Sequence, residues 1–545
     1  MGGYLASALA VCLLLPISSH RPFTISISAH WRDTQAHILR RFQPGQISTM
    51  PPQAIGIFGF GNATRSTSGE AFRFKPDGIL FNSPSAYRAI YQTKANVKKG
   101  KFYESFLRNS QYINTVTTVD KIVHARKRRV LNSAFSEKAI RSAETFVVKH
   151  VDRWTELIID GNDGKEWTAP QNMSNLAEYL VFDIMGDLSF GTSFDLKEAG
   201  ENRFRHIPHT IAVYMQLMYR ISQSHILRAW VWLKPRGLDG LLESASPKNV
   251  KDYYAFVDQS VIKRRGEEES LEMSGADKSQ GRKDLLHYLF KTTDDAGNPA
   301  YSVDELNAEA NMLIIGGSDT TSTILSGFWF YLTRHPRVYA KLVEETTFKS
   351  ADDIKTGPAL ISCKYLQACV EETMRLSPAG VSELAREVLS GGLDIAGHHI
   401  PEGIHVGVAT WVIMHNEEFY GDAWVYRPER WIPDSVTGVT AEDVARAQSC
   451  FNPFTIGQYN CVGQKLAMVE LLITTAKTLH RMDVRLAHGD NLGAGSRTWM
   501  GNEKQRSCCA QGCLYFFERW TDAAGSQTNY IIKHIMRRVD GLVRT

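Results

Sequence analysis

Residues Phe454 to Gly463 read F-T-I-G-Q-Y-N-C-V-G, which sets one cysteine, Cys461, between Gly457 and Gly463, with Phe454 seven positions before it. An apolar helical run follows at once, from Lys465 to Ile473. A cysteine at a helix N-terminus feels the positive end of the helix dipole and its unpaired amide N–H groups, which favour thiolate over thiol. Glycines on both sides let the backbone bend tightly and come close to something flat. A lone thiolate in such a loop suits a haem iron with one protein ligand. The competing reading is a buried structural cysteine, which is where most free cysteines end up.

Three further stretches bear on that choice. The longest helix is predicted from Ser302, whose spacing to Glu305 makes a capping box, to a stop at Pro336. That is about 32 residues, or roughly 48 Å. Its middle reads Gly316-Gly317-Ser318-Asp319-Thr320-Thr321. Each mid-helix glycine costs about 1 kcal/mol relative to alanine. A flat ligand against the helix would give the pair a reason, and so would a local widening of the backbone ladder. An ordinary glycine pair at a helix crossing leaves Asp319 unexplained in an otherwise apolar stretch. Glu372 and Arg375 stand at i and i+3 on a helix that ends at Pro378, so they can pair on one face. Tyr426 to Trp431 reads Y-R-P-E-R-W and brings Arg430. Finally, His124 to Ser136 reads H-A-R-K-R-R-V-L-N-S-A-F-S, with His124 and Arg128 on one helical face. By itself that last stretch would be an exposed basic helix.

Taken together and in this order, the stretches resemble the cytochrome P-450 superfamily of haem-thiolate monooxygenases, over roughly residues 70–545. F-x-x-G-x-x-x-C-x-G is similar to its haem-binding loop, and G-G-S-D-T-T to its oxygen-activation motif. The resemblance implies a mainly α fold with a smaller β part. It implies haem b with the Cys461 thiolate as axial iron ligand, in a loop shaped by Phe454, Gly457 and Gly463. His124 (where the family usually has Trp), Arg128 and Arg386 would hold the haem propionates. Asp319 and Thr320 would relay protons to dioxygen, and a buried triad of Glu372, Arg375 and Arg430 would hold the thiolate loop in place. Val381 and Ser382 lie where side chains enter the substrate pocket. Tyr459 stands where the family usually carries Arg or His for a propionate, so haem retention would lean on Arg128 and Arg386. The activity implied is insertion of one oxygen atom of O2 into a C–H bond of a hydrophobic small molecule. Electrons would come from NADPH through a separate cytochrome P-450 reductase. The pattern looks most like fungal members, whose substrates are often secondary metabolites. Two other readings stay open: a haem-thiolate isomerase or dehydratase that needs no reductase, and a non-enzymatic haem-binding protein. Asp319-Thr320 argues against the first.

The bulk properties fit one large enzyme domain. The chain has 545 residues, 43% of them hydrophobic, and a formal net charge of +4, too mild to argue for nucleic acid. The basic runs Lys98-Lys99-Gly100-Lys101 and His124 to Arg129 read as solvated faces. Eight cysteines without disulfide spacing suit a reducing compartment. Tyr4 to Ile17 is an uncharged apolar run of 14 residues. As a helix it spans about 21 Å, short of a bilayer core of about 30 Å. Arginines follow it at 21, 32, 40 and 41 and no basic residue precedes it, so the expectation is a short anchor (residues 1–20) in the endoplasmic-reticulum membrane, with the catalytic domain cytosolic. Residues 21–69 read as a linker and 489–513 as an insertion. Phe72 to Phe81 reads as a β-hairpin turning at Pro76-Asp77-Gly78. Residues 264–283, charged and polar, read as a loop.

Overall fold

The computed structural model describes residues 70–109, 111–160, 167–224, 226–274, 281–294, 296–487 and 530–534. The anchor 1–20, the linker 21–69 and the segment 489–513 lie outside these residues. Strands β1 (Ala71–Lys75) and β2 (Gly78–Phe81) form the expected hairpin, followed by α1 (Pro84–Tyr91), capped by the Ser83 side chain, and β3 (Val97–Lys99). Then come α2 (Lys121–Ala134), capped by Asp120, α3 (Glu137–Asp160), α4 (Met173–Phe190), α5 (Ile207–Ser222) and α6 (Lys248–Met273). The long helix α7 (Val303–Arg334) carries 32 residues with the Ser302/Glu305 capping box formed, and Pro336 opens the next helix. Helix α8 (Lys364–Leu376) precedes β4 (Arg386–Val388) and β5 (His405–Val408). Helix α9 (Gln464–Arg481) follows the Cys461 loop and leads into β6 (Met482–Leu486), paired antiparallel with β7 (Tyr530–His534).

The five-stranded sheet runs β1-β2-β5-β4-β3, with β2 and β5 parallel and the other pairs antiparallel. Its apolar side closes a core of its own around Ile79, Tyr87, Ile90, Val97, Val388 and Val406. The larger core lies among the helices, where α7 packs along α4 and α9 packs against α3. Their apolar residues, Leu313, Ile314, Ile324, Leu325, Phe328 and Trp329 of α7 among them, are buried in this core.

The loop expected at 264–283 is overturned in its first part, since α6 runs to Met273. Charged residues there are buried in pairs rather than solvated. Arg264 bonds Asp284 at 2.8 Å and Glu268 at 3.0 Å, so polarity in this stretch marks an ion network that the helix itself arranges at i, i+4.

Candidate active site

The loop before Cys461 is fixed by its own backbone. The Cys461 amide donates to the Phe454 carbonyl at 2.8 Å, and Asn460 N–H to Gly457 at 3.1 Å. Gly457 has φ +74°, and a Cβ there would come within 2.1 Å of the Tyr91 carbonyl oxygen. Its glycine is therefore required by a left-handed turn against α1 rather than by approach to a flat ligand. Gly463 has an ordinary φ of −82°, and a Cβ would make only normal contact with Phe135. The Cys461 side chain is accessible, although protein surrounds it closely. Burial pushes its thiol up; the N–H groups of Gly463 and Gln464 and the Arg128 guanidinium pull the other way without overcoming it. The helix end thus does not favour thiolate unaided.

In α7 the two glycines have different partners. Gly316 is exposed, as is Thr320 one turn on, in a helix otherwise buried for most of its length. Gly317 turns the other way, and a Cβ would meet the Met185 side chain of α4 at 2.6 Å. The ladder stays α-helical through both, so the expected widening is absent and helix packing accounts for the second glycine. The Thr320 hydroxyl donates to the Gly316 carbonyl at 2.7 Å, which leaves its lone pairs free. Burial raises the Asp319 carboxyl to about 6.

The residues expected to hold carboxylates gather around Tyr459. His124 meets its ring edge-on, 4.7 Å between centroids. Arg386 lies 4.8 Å over the same ring and is almost fully buried. It donates to Tyr103 Oη at 2.8 Å and to the Leu384 carbonyl at 2.9 Å, while its Nε has no acceptor. Arg128 reaches the loop itself, donating to the Asn460 carbonyl and, at 2.7 Å, to Asn460 Oδ1. Burial first, then the charges of Lys99, Arg128 and Arg386, lowers His124 to about 3, so its ring is neutral and one N–H remains to donate.

The Glu372 cluster is fully formed. Its carboxylate accepts from Arg375 at 2.8 and 2.9 Å, from Arg430 Nε at 3.0 Å, from Trp431 Nε1 at 3.0 Å and from the Arg427 backbone N–H at 3.0 Å. Burial alone would raise this acid; the two guanidiniums and their hydrogen bonds outweigh it and hold the acid at about 2. Arg375 also donates to the carbonyls of Met414 and Ala423, which ties α8 to the chain leading toward Trp431.

The family model for cytochrome P-450 matches residues 69–500. Among curated proteins, a cytochrome P-450 monooxygenase of Gibberella zeae is 32% identical over 420 residues, which cover 76% of this chain and 91% of that protein. The monooxygenase poxM of Penicillium oxalicum is 33% identical over 77% of this chain and 78% of its own. The monooxygenase atnE of Emericella nidulans is 32% identical, at 78% and 80%. The chain belongs to the cytochrome P-450 family.

As a cytochrome P-450 it is a haem monooxygenase, and its residues fit the cofactor. An accessible thiol stands in an internal loop, the middle of α7 is bared at Gly316 and Thr320, and Arg386 Nε and Tyr459 Oη are buried donors without acceptors. Several residues of this P-450 were not legible beforehand. The basic runs read as solvated faces are partly buried: Lys99, His124 and Lys127 all face inward. Strand alternation is the available signal for Lys99, because it shares the inward side of β3 with Val97. Asn460 and Trp431 have polar roles that no spacing announces. Glu470, on α9, is buried beside Thr321 of α7 and raised by that burial to about 8, so it stays protonated where the two helices meet next to Thr320.

Proposed function

We propose that this cytochrome P-450 inserts one oxygen atom of O2 into a C–H bond of a hydrophobic fungal secondary metabolite, with electrons from an NADPH-dependent reductase. The single observation that carries the reading is the pairing of an accessible cysteine in a backbone-locked loop with a threonine bared in the middle of a buried helix. When bound, haem supplies the activation of O2 and the oxidising power that breaks the C–H bond. In this reading the Cys461 sulfur would hold the haem iron, braced through Asn460 by Arg128. Arg386, Arg128 and His124 would hold the haem by its carboxylates, and the Phe454 carbonyl and Gly457 close the loop that presents Cys461. Glu372, Arg375 and Arg430 hold that loop's neighbours rigid. Thr320 donates to Gly316, so its lone pairs would be free to hold a proton on the haem side of α7, with Asp319 the acid that would resupply it. An acid at about 6 is suited to that task near neutral pH, because it both gives and regains its proton readily.

Thr320→Ala should leave NADPH oxidation largely intact while product falls about 10²–10⁴-fold and hydrogen peroxide takes up the electrons. Asp319→Asn should instead slow the whole cycle, since the proton is not resupplied. The check is product, peroxide and NADPH measured together with reductase present. Undiminished coupling in Thr320→Ala would place the relay elsewhere, and turnover without O2 consumption would make the protein an isomerase or dehydratase.

We further propose that Tyr4 to Ile17 holds the catalytic domain on the cytosolic side of the endoplasmic reticulum. Support comes from the run's apolar, uncharged character and the arginines that follow it. Among the described residues no helix is long and apolar enough to cross a membrane. Deleting residues 1–20 should release the protein from microsomes with its haem retained; recovery of the full-length chain as glycosylated, secreted protein would refute the placement.

A further inference from the structure

Glu309 stands on α7 seven residues before Gly316, and Thr320 four after it, so the three share one face of the helix. Gly316 and Thr320 are bared on that face, whereas Glu309, about 10 Å further up the helix, is fully buried. The chain bonded to it is residues 113–118, on the way from β3 to α2. Glu309 Oε1 accepts from the Thr115 backbone N–H at 2.7 Å and from the Thr115 hydroxyl at 2.6 Å. Lys99 of β3 donates to the same point of the segment, to the carbonyls of Thr115 and Val116, each at 2.8 Å. Burial raises the Glu309 carboxyl to about 6 against the pull of Thr115 and Lys127, so near neutral pH it is ionised and accepts both bonds.

Little else fastens this segment. Among the described residues its hydrogen bonds to the rest of the fold are made at Thr115 and Val116; those of Thr117 and Thr118 run back to Asn114. Its apolar side chains, Ile113 and Val116, are 37% and 43% exposed and belong to neither apolar core. A piece of chain without a buried apolar anchor opens at low cost, so the charged contacts at Thr115 decide whether it stays down.

We propose that Glu309 is the latch of an entrance to the haem cavity: by holding Thr115 it keeps residues 113–118 closed over α7, and so decides how fast a bulky molecule reaches the iron. The inference rests on the haem-thiolate reading of the site. Glu309 is a positioning residue, since it acts through Thr115. Two hydrogen bonds converge on its one oxygen, so the latch releases as a unit: when Oε1 lets go, the N–H and the hydroxyl are freed together. Lys99 keeps the two carbonyls, so the released segment stays tied to β3 and can return.

The test follows two ligands of haem iron, imidazole and the bulky azole clotrimazole, through the Soret shift on stopped-flow mixing with holoenzyme of the full chain. Glu309→Ala should raise both the association and the dissociation rate of clotrimazole about tenfold, the shift in open population expected when a charge-assisted bond is lost. Imidazole, small enough to pass the closed segment, is indifferent to that population, so its rates should stay within about twofold in every variant. Glu309→Gln keeps an acceptor of the same reach and should fall between the unaltered protein and Glu309→Ala. Thr115→Val loses the hydroxyl bond alone and should give a smaller rise. The double variant Glu309→Ala/Thr115→Val should be no faster than Glu309→Ala, because both changes remove the same contact. Unchanged clotrimazole rates in Glu309→Ala overturn the proposal, as does a double variant in which the two effects add in full. Equal acceleration of imidazole and clotrimazole overturns it too, since that marks a general loosening of the fold. Should Glu309→Ala fail to accumulate, Thr115→Val decides: a faster clotrimazole with an unchanged imidazole supports the latch, and an unchanged clotrimazole sinks it. Absence of the thiolate-type band from the reduced, carbon-monoxide-bound protein would remove the haem-thiolate reading and the latch with it, whereas unchanged clotrimazole rates with that band present remove the latch alone.

Discussion

Cys461→Ser is expected to abolish the strongly red-shifted Soret band of the reduced, carbon-monoxide-bound protein, and monooxygenase activity with it. The shift arises because a thiolate pushes electron density onto the iron; a serine hydroxyl ionises far less readily and gives no comparable ligand. The loop should survive the change, because its closure from Phe454 to Cys461 is made by backbone groups and Arg128 grips Asn460 rather than the sulfur. Loss of the band with the protein still folded, seen as an unchanged far-ultraviolet circular dichroism spectrum, is therefore the expected pair of observations. A spectrum of histidine type in the unaltered protein would assign the ligand to another residue.

Glu372→Ala is expected to have the largest effect on stability. It would strand two buried guanidiniums that now share one carboxylate, and breaking such a cluster costs about 3–5 kcal/mol, a large part of a typical domain's stability. Recovered haem protein should fall sharply, and denaturant midpoints of what remains should drop. An unfolding free energy within about 1 kcal/mol of the unaltered protein's would mean that the carbonyl acceptors of Arg375 and Arg430 suffice. The same carboxylate gives acid unfolding a defined window. Its folded pKa is about 2 against 4.5 for the free group, so the stability it contributes is fully present above about 4.5 and is lost as pH falls from there toward 2. Glu372→Gln should flatten that part of the pH–stability curve.

How much was legible in the sequence varied with the range of the interaction. The ends of α7 were readable because the Ser302 cap and Pro336 act within one turn, and the hairpin at 71–81 because its turn chemistry is local. The thiolate loop, the α7 motif and the Glu372 cluster were readable as spaced residue types. What stayed hidden depends on distant partners. Gly457 and Gly317 owe their lack of side chain to Tyr91 and Met185. Lys99 looks like one more basic residue until β4 sets Arg386 opposite it, and a three-residue strand offers too short a pattern for its alternation to be heard above a run of lysines. The charged end of α6 passed for a loop because Asp284, its partner, comes from beyond the helix.

The hydrogen bonds from Arg128 to Asn460 join residues 332 apart in the chain. At a synthesis rate of about 5–20 residues per second, helix α2 waits roughly 15–65 s on the ribosome before its partner loop exists. Contacts of such long sequence separation also form late in folding, since loop closure must precede them. The complete site, with Arg128 gripping Asn460, therefore exists only once the last quarter of the protein has emerged. Haem retention by the complete site is therefore expected late in synthesis, and a chain truncated before Asn460 should lack the clasp that Arg128 places on the cysteine loop.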